Sequence, residues 1–350
     1  MTDILSLIEN IKNPLYDPSL KRNSKVLLID GMNTFFRNFA IINYLNGSGE
    51  HVGGLVGFMR SLGYVSKLIG ATRIIVTFDG VGNINNKKNL LPSYKSNRNL
   101  TRVTNFDTFE NKEEEVSSMN AQLERLTHYL KCLPVSIVSV DKAEADDVIA
   151  YYSKKLYKED PNCSVYIMSA DRDFLQLVND RITVYSPTKK IFYHPKEVLE
   201  EYNVSSTNFL TYKVILGDKT DNVPGVSKMG PKKILKFFPE LSSSTPFNLV
   251  EVLEKSRVKR AEHELYNKVL ILKEQLRINE KIMGLHANIF TDDEQNYLDF
   301  VLDESVNPLD KKQFQELYEL DELGKSINNI DVWLSENFSL PNRFINEHTN

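Results

Sequence analysis

The stretch KVLLID, residues 25–30, indicates the fold class, because it is a short apolar run that ends in a carboxylate. Such a run is typical of a buried parallel strand with helices on both faces of its sheet. The pattern returns in RIIVTFD (73–79), and further runs have strand character: VSIVSV (135–140), SVYIMSAD (164–171) and RITVYS (181–186). Helical spacing occupies residues 54–70, 113–133 and 144–157. Strands that alternate with helices predict an α/β fold with a mostly parallel central sheet flanked by helices.

The predicted strands place carboxylates at one edge of the sheet. Asp30, Asp79 and Asp171 each stand at the carboxyl end of a predicted strand, and ligands of open α/β sheets collect at that edge. Other acidic residues stand in short local patterns, namely E-x-D-D (Glu144, Asp146, Asp147), D-x-D (Asp171, Asp173) and D-x-x-D (Asp218, Asp221). Residues i and i+3 of a helix share a face, so Glu144 and Asp147 can point the same way. We therefore expect one acidic cleft.

A cleft with this many carboxylates favours a metal centre. Close anions repel one another unless cations neutralise them, and hard oxygen ligands select Mg²⁺, Mn²⁺ or Ca²⁺ over zinc. Phosphodiester hydrolysis uses such a site, because one metal lowers the pKa of a bound water and a second, ~4 Å away, stabilises the leaving oxygen. For any single aspartate after a strand, the alternative interpretation is a helix cap.

The composition is that of a globular protein, with 41% hydrophobic and 26% charged residues. The formal net charge of −4 argues mildly against nucleic-acid binding, yet residues 85–104 hold five basic residues and residues 228–236 hold four, with no acidic residue in either stretch. No apolar run approaches the ~20 residues of a membrane span, and the N-terminus lacks the pattern of a secretory signal. Cys132 and Cys163 have no metal-type spacing and indicate free thiols in a reducing compartment. We expect a cytoplasmic protein that does not associate with membranes.

Residues 80–116 interrupt the alternation of strands and helices with a stretch rich in Asn, Lys and Ser. A connection of that length is usually functional or disordered. Within PSYKSNR (92–98), Lys95 and Arg98 can neutralise a phosphate, and Tyr94 can offer a face on which a base stacks. A solvated, mobile loop is the other interpretation.

From residue 207 onward the pattern is helical, and DNVPGVSKMGPKKILKFF (221–238) contains a glycine-rich turn. Gly225 and Gly230 flank the turn, and Pro231 suits the first position of a helix. Backbone N–H groups of such a turn can hold a phosphate without reading sequence. Three lysines add positive charge there: Lys228, Lys232 and Lys233. A purely structural turn between two helices is the alternative.

Six motifs in this order resemble those of the 5′ nuclease superfamily: LLIDGMN, VTFDG, YKSNR, AEADDVIA, SADRDFLQL and GDKTDNVPGV. That superfamily includes flap endonucleases, the 5′-nuclease domain of bacterial DNA polymerase I and phage 5′ exonucleases, and the likeness covers roughly residues 25–238. The details are most similar to the ribonucleases H of T-even phages, through DKAEADDVIAYYSKK, YSPTKKIF and LYNKVLILKEQLRI (265–278). The chain departs from those proteins in keeping GVSKMGP (225–231), a Gly-Pro-type turn that the T-even protein lacks intact.

The resemblance implies roles for the candidate residues. The metal site would be lined by Asp30, Asp79, Glu144, Asp146 and Asp171, with Asp147, Asp173, Asp218 and Asp221 nearby. Tyr94, Lys95 and Arg98 would lie on a helical arch that orders around the substrate. Residues 223–238 would form a helix–three-turn–helix that binds duplex and, at 223–230, holds K⁺ through backbone carbonyls.

We expect an extension at 1–24, an α/β nuclease core at 25–206 with the arch inserted at about 80–116, and a helical region at 207–350 with the helix–three-turn–helix at about 207–240. The implied enzyme is a 5′–3′ exonuclease and flap endonuclease with two or more Mg²⁺ ions, which Mn²⁺ can replace. Its substrates would be RNA primers, 5′ flaps and nicked duplex in DNA replication. We also expect a phage source, a location in the host-cell cytoplasm, a monomeric state and a single-stranded-DNA-binding protein as partner. A PIN-like ribonuclease and a catalytically silent structure-binding protein are the alternatives.

Overall fold

A six-stranded sheet forms the centre of the protein in a computed structural model that describes residues 17, 19–96, 103–105, 107–285 and 289–345. The strands are β1 (Lys25–Asp30), β2 (Arg73–Phe78), β3 (Ser136–Ser139), β4 (Ser164–Met168), β5 (Ile182–Ser186) and β6 (Ile191–Tyr193). Their order across the sheet is β3-β2-β1-β4-β5-β6. All neighbouring pairs are parallel except β5 and β6, which form an antiparallel pair. The predicted α/β class with a mostly parallel sheet is confirmed.

Starting from β1, the chain adds β2 and β3 on one side of the sheet and then β4, β5 and β6 on the other side. β2 lies on one side of β1 and β4 on the other, so the switch point of this sheet lies between β1 and β4. A crevice opens at such a point beyond the carboxyl ends of the strands. Asp30 ends β1 and Asp171 follows β4, so the two carboxylates flank the crevice.

Helices cover the sheet on both faces. They are α1 (Gly31–Ile41), α2 (Gly53–Ile69), α3 (Asn85–Leu90), α4 (Lys112–Lys131), α5 (Ala145–Glu159), α6 (Pro195–Tyr202), α7 (Phe209–Leu216), α8 (Pro231–Phe237), α9 (Leu249–Val258), α10 (Glu264–Ile271), α11 (Lys273–Met283), α12 (Asp292–Asp303), α13 (Lys311–Leu320) and α14 (Ile330–Arg343). Alternate side chains of β1 lie on opposite faces of the sheet. Val26 and Leu28 belong to one apolar cluster, and Leu27 and Ile29 belong to the other.

Local sequence explains where the key helices begin and end. α2 ends at Ile69 and is capped by Gly70, whose φ of 63° suits glycine. Asn111 caps α4, and three glutamates occupy the first turn of that helix, where its dipole favours negative charge. At the start of α5, the carboxylate of Asp147 accepts a hydrogen bond from the backbone of Glu144. These signals hold α5, and the acidic residues at its start, in a defined position.

The C-terminal helix returns to the core, because Trp333 of α14 packs against Gly63 of α2, where a Cβ would lie 2.6 Å from the indole ring. Cys132 and Cys163 are both free and buried. Four elements were not foreseen from the sequence: helices α1 and α6, the short strand β6, and helix α3 inside the stretch expected to be irregular. No helix among the described residues is long and apolar enough to span a membrane.

Candidate metal centre

Three carboxylates at the carboxyl edge of the sheet lie on neighbouring strands. Asp30 accepts hydrogen bonds from the Asn33 N–H (3.0 Å) and from the Ser169 hydroxyl (3.2 Å). Asp79 accepts one from the Ala145 N–H, at 2.8 Å, which ties the end of β2 to the start of α5. Burial, with the nearby charges of Asp171 and Asp79, raises the pKa of Asp30 to about 7. The edge therefore concentrates negative charge around a buried carboxyl group.

A second group of carboxylates lies at the start of α5. One oxygen from each of Glu144, Asp146 and Asp147 lies within 4.8 Å of the others. Burial raises the pKa of Asp146 and of Asp147. Burial also acts to raise the pKa of Glu144, but the ammonium groups of Lys87 and Lys95 outweigh it and hold that pKa below its usual value. The N–H of Ala145, which lies between Glu144 and Asp146, bonds to Asp79, so this edge carboxylate lies beside the α5 group. The edge carboxylates and the α5 group are together called the acidic surface.

Two lysines and a tyrosine from the predicted arch contact this acidic surface. Lys87, on α3, pairs with Glu144 and lies 3.7 Å from Asp146 and 3.8 Å from Asp147. Lys95 also pairs with Glu144, and the Tyr94 hydroxyl donates to the same carboxylate at 3.2 Å. Residues 87–95 of the predicted arch therefore contact the acidic group in this structure.

A third acidic group lies where α7 meets the glycine-rich turn. The ammonium group of Lys213 lies 2.8 Å from Asp173 and 2.6 Å from Asp218. Burial and the charge of Asp171 raise the pKa of Asp173 to about 6, although Lys213 opposes the shift. Asp171, Asp173, Asp218 and Asp221 all line one cleft of about 550 Å³. The cleft extends from Asp171, at the edge of the sheet, to Asp221, shortly before the turn.

The donor set fits a hard divalent cation. Every candidate ligand is a carboxylate oxygen, the type that Mg²⁺ and Mn²⁺ prefer. The Oδ1 atom of Asp146 is buried and, in the part of the chain that the structure describes, has no hydrogen-bond partner. Since buried polar atoms are normally paired, an unpaired carboxylate oxygen in an acidic group is suited to a cation.

The glycine-rich turn between α7 and α8 borders the same cleft. Lys228, Lys232 and Lys233 are exposed there, and the turn lines an open groove of about 820 Å³ that reaches Asp218 and Ser93. Among the described residues, the backbone N–H groups of Ser227, Lys228 and Gly230 have no hydrogen-bond acceptor. The turn thus offers backbone donors and positive charge beside the carboxylates.

The structure corrects the expectation for Tyr94 and adds two residues. Tyr94 is 3% exposed and packs in an apolar cluster with Val223 and Met283, so its ring has no open face on which a base could stack. Arg98 lies outside the described residues. Sequence patterns did not single out Lys87 or Lys213, because their positions become meaningful only when α3 and α7 are placed in space beside the carboxylates.

Residues 25–203, just over half of the chain, match the family described as 5′–3′ exonuclease, N-terminal resolvase-like domain. The chain belongs to this 5′–3′ exonuclease family. The expected membership of the 5′ nuclease superfamily is thereby confirmed, while the closer likeness to T-even ribonucleases H remains a prediction.

Relatives of this 5′–3′ exonuclease family member occur alone and as parts of polymerases. A 5′–3′ exonuclease of Buchnera aphidicola subsp. Baizongia pistaciae is 27% identical over 273 residues, which cover 77% of this chain and 84% of the relative. The thermostable DNA polymerase I of Thermus thermophilus is 31% identical over 231 residues, or 66% of this chain and 25% of the polymerase. The chain thus spans about a quarter of the length of the polymerase relatives.

Solved structures share the fold. The flap endonuclease of bacteriophage T5, in a pseudo-enzyme–product complex with DNA and metal ions, matches with a TM-score of 0.60 at 20% identity, covering 85% of this chain and 99% of the phage protein. The T5 5′-exonuclease with bound zinc matches with a TM-score of 0.58 at 21% identity, covering 85% of this chain and all of that one.

Proposed function

We propose that this chain is a divalent-metal-dependent 5′ nuclease, which hydrolyses phosphodiesters near the 5′ ends of RNA primers, flaps and nicked duplex during DNA replication. The observation that supports it most directly is the acidic surface beside the predicted arch, together with the cleft lined by Asp171, Asp173, Asp218 and Asp221. Family relatives described as 5′–3′ exonucleases support the reaction class. The relative solved with DNA and metal ions supports the substrate class.

Within this proposal, two groups of carboxylates hold metal ions. Asp30, Asp79, Glu144, Asp146 and Asp171 would form one ligand set, with Asp147 beside them, and Asp173, Asp218 and Asp221 would complete the other. Bound metal ions supply an activated water and stabilise the leaving oxygen. We assign Mg²⁺ as the resident ion and Mn²⁺ as a substitute, on the chemistry of the donor set.

The chain's own cations act on the substrate phosphates. Lys95, which lies at Glu144, can move its charge to a phosphate that enters the cleft, and Arg98 would assist it. Tyr94 positions this segment through its buried ring and its hydroxyl bond to Glu144. Gly225, Lys228, Gly230, Lys232 and Lys233 hold the duplex through backbone phosphates, independent of sequence.

Other parts of the proposal rest on the resemblance. These are a K⁺ site at residues 223–230, a single-stranded-DNA-binding protein as partner, a monomeric state and a phage origin. A cytoplasmic location in the host rests also on the cysteine usage. The division into residues 1–24, 25–206 and 207–350 also remains a prediction.

The test uses three substrates labelled at the 5′ end: a 5′ flap, an RNA-primed DNA duplex and single-stranded RNA. Each is incubated with the full chain in Mg²⁺, in Mn²⁺ and in EDTA. We expect short labelled products from the flap and the primed duplex in either metal and none in EDTA. Cleavage of single-stranded RNA alone would favour the PIN-like ribonuclease, and binding without cleavage would favour the catalytically silent protein.

A further inference from the structure

The segment 93–96, here called the strap, connects the arch to the turn that follows α7. The Lys95 N–H donates to the Asp221 carbonyl at 2.9 Å. The Asn222 amide donates to the Ser93 carbonyl at 3.0 Å and to the Ser96 hydroxyl at 3.1 Å. Asn222 therefore bonds the strap on both sides of Lys95.

The backbone at these positions explains why the contact matters. Lys95 has φ 54° and Asn222 has φ 59°, so both lie in the left-handed region. Asparagine tolerates that region better than other non-glycine residues, whereas lysine does so rarely. A lysine held in such a conformation needs neighbouring contacts that fix it. The Asn222 bonds to Ser93 and Ser96 are contacts of that kind, and the side chain of Lys95 then reaches Glu144.

We propose that Asn222 is a positioning residue, which holds the strap so that the ammonium group of Lys95 lies at the carboxylate centre. The inference rests on the proposed function of Lys95 and adds a link from the duplex-binding turn to that cation. Because Asn222 directly precedes Val223, where the turn begins, its side chain couples placement of the turn to placement of Lys95, beside the backbone bond from Lys95 to Asp221.

The test removes the amide without straining the backbone. Asn222→Gly keeps the left-handed conformation and loses both bonds to the strap. Single-turnover cleavage of a bound flap in Mg²⁺ should fall about tenfold, while the Kd for the flap stays within about twofold. In a Lys95→Ala background the same change should cost less than about twofold, because residues that act through one another are not additive. A loss of rate that persists fully in that background would show that Asn222 acts through Asp221 or the metal, and would overturn the inference.

The matched control is Asn203→Gly. Asn203 also has a left-handed conformation, with φ 54°, but lies at the end of α6, so this variant should cleave the flap at the wild-type rate. A second readout does not depend on activity: trypsin should cut after Lys95 several-fold faster in Asn222→Gly than in wild type or Asn203→Gly. Unchanged tryptic cleavage after Lys95 would overturn the positioning role even if the wild type proved inactive, and failure of the wild type to cleave any substrate would overturn only the proposed function.

Discussion

Gly225 lies directly against Leu216, since a Cβ built on Gly225 would lie 2.0 Å from the Leu216 carbonyl oxygen. The next residue after Leu216, Gly217, has φ 74°, and a Cβ built there would lie 2.3 Å from the Gly225 nitrogen. Gly230, at the other end of the turn, has open space around its Cβ position and φ −77°. The two glycines of the motif therefore differ: Gly225 is required by close backbone packing, and Gly230 is not.

Alanine at the two positions should separate these roles. Gly225→Ala forces the turn away from α7, so we expect the free energy of unfolding to fall by about 2 kcal/mol and duplex binding to weaken. Gly230→Ala should change the free energy of unfolding by less than about 0.5 kcal/mol and leave duplex binding near the wild-type value. Urea unfolding and duplex titration measure both. Equal effects of the two substitutions would contradict this assignment.

The lysines of the turn should contribute through direct contacts between their ammonium groups and the phosphates. Lys232→Ala with Lys233→Ala should weaken duplex binding uniformly across sequences, and should reduce the slope of log K against log salt by roughly 0.9 for each phosphate that these lysines neutralise. The control removes the same charge elsewhere, through Lys312→Ala with Lys325→Ala on exposed positions. If both pairs change the slope equally, the turn lysines act only through net charge.

A buried glutamate in the first turn of α4 holds residues 104–105 of the predicted arch. The carboxylate of Glu115 is 0% exposed and accepts hydrogen bonds from the Thr104 N–H (2.7 Å), the Asn105 N–H (2.8 Å) and the Thr104 hydroxyl (2.5 Å), and Lys112 pairs with it. Burial acts to raise the pKa of Glu115, but Lys112 and these bonds lower it to about 2. A carboxyl pKa that folding lowers stabilises the native state above the unfolded pKa, and this stabilisation disappears as the pH falls toward the folded value.

Glu115→Gln should therefore lower the free energy of unfolding by roughly 2 kcal/mol at neutral pH. The difference from wild type should shrink as the pH falls from about 4.5 toward 2, because the wild-type carboxylate is then protonated as well. Glu113→Gln, an exposed change in the same turn of α4, is the control and should have little effect. A difference independent of pH would show that packing at this position, not the charge, matters.

Asp171→Asn tests chemistry apart from binding, since it removes one negative charge at almost constant volume. We expect cleavage in Mg²⁺ to be abolished while flap binding is retained or tightened, because the repulsion of phosphates falls. Single-turnover cleavage and a filter-binding titration in Ca²⁺ measure the two effects. Asp171 also accepts a hydrogen bond from the Asp173 N–H at 2.8 Å, so near wild-type cleavage would reduce its role to a cap of the segment Arg172–Leu177.

Sequence patterns predicted most of the fold correctly, because in those segments the local sequence signals and the tertiary packing favour the same structure. The run at 25–30 is apolar on both faces and became β1, and Asp30, Asp79 and Asp171 stand at strand ends as the alternation of elements requires. Tertiary contacts decided the rest. Tyr94 looked like an exposed aromatic in a polar loop, but Val223, Ile282 and Met283 bury it, and those residues lie far away in the sequence. Lys87 was only one of five basic residues at 85–104, and Lys213 carries no local signature, since each becomes significant only through carboxylates on another element.

Lys87 should compete with metal ions for the acidic group of α5. Its ammonium group is largely enclosed and contacts Glu144, Asp146 and Asp147 together, so it neutralises the charge that a divalent cation would otherwise meet. Lys87→Met keeps the aliphatic length and removes the charge. We expect the apparent Kd for Mn²⁺ to fall by at least about fivefold, or about 1 kcal/mol, because the potential at the carboxylates becomes more negative.

The same substitution should make stability depend more strongly on metal. In EDTA, Lys87→Met leaves three close carboxylates without one of their cations, so its Tm should fall below that of the wild type. Added Mn²⁺ binds only the folded chain tightly and should then raise the Tm of the variant more than that of the wild type. Lys88→Met is the matched control, because Lys88 stands on the same helix and makes no ion pair among the described residues. Weaker Mn²⁺ binding in Lys87→Met, with the fold intact, would mean that Lys87 organises the carboxylates for the metal and does not compete with it.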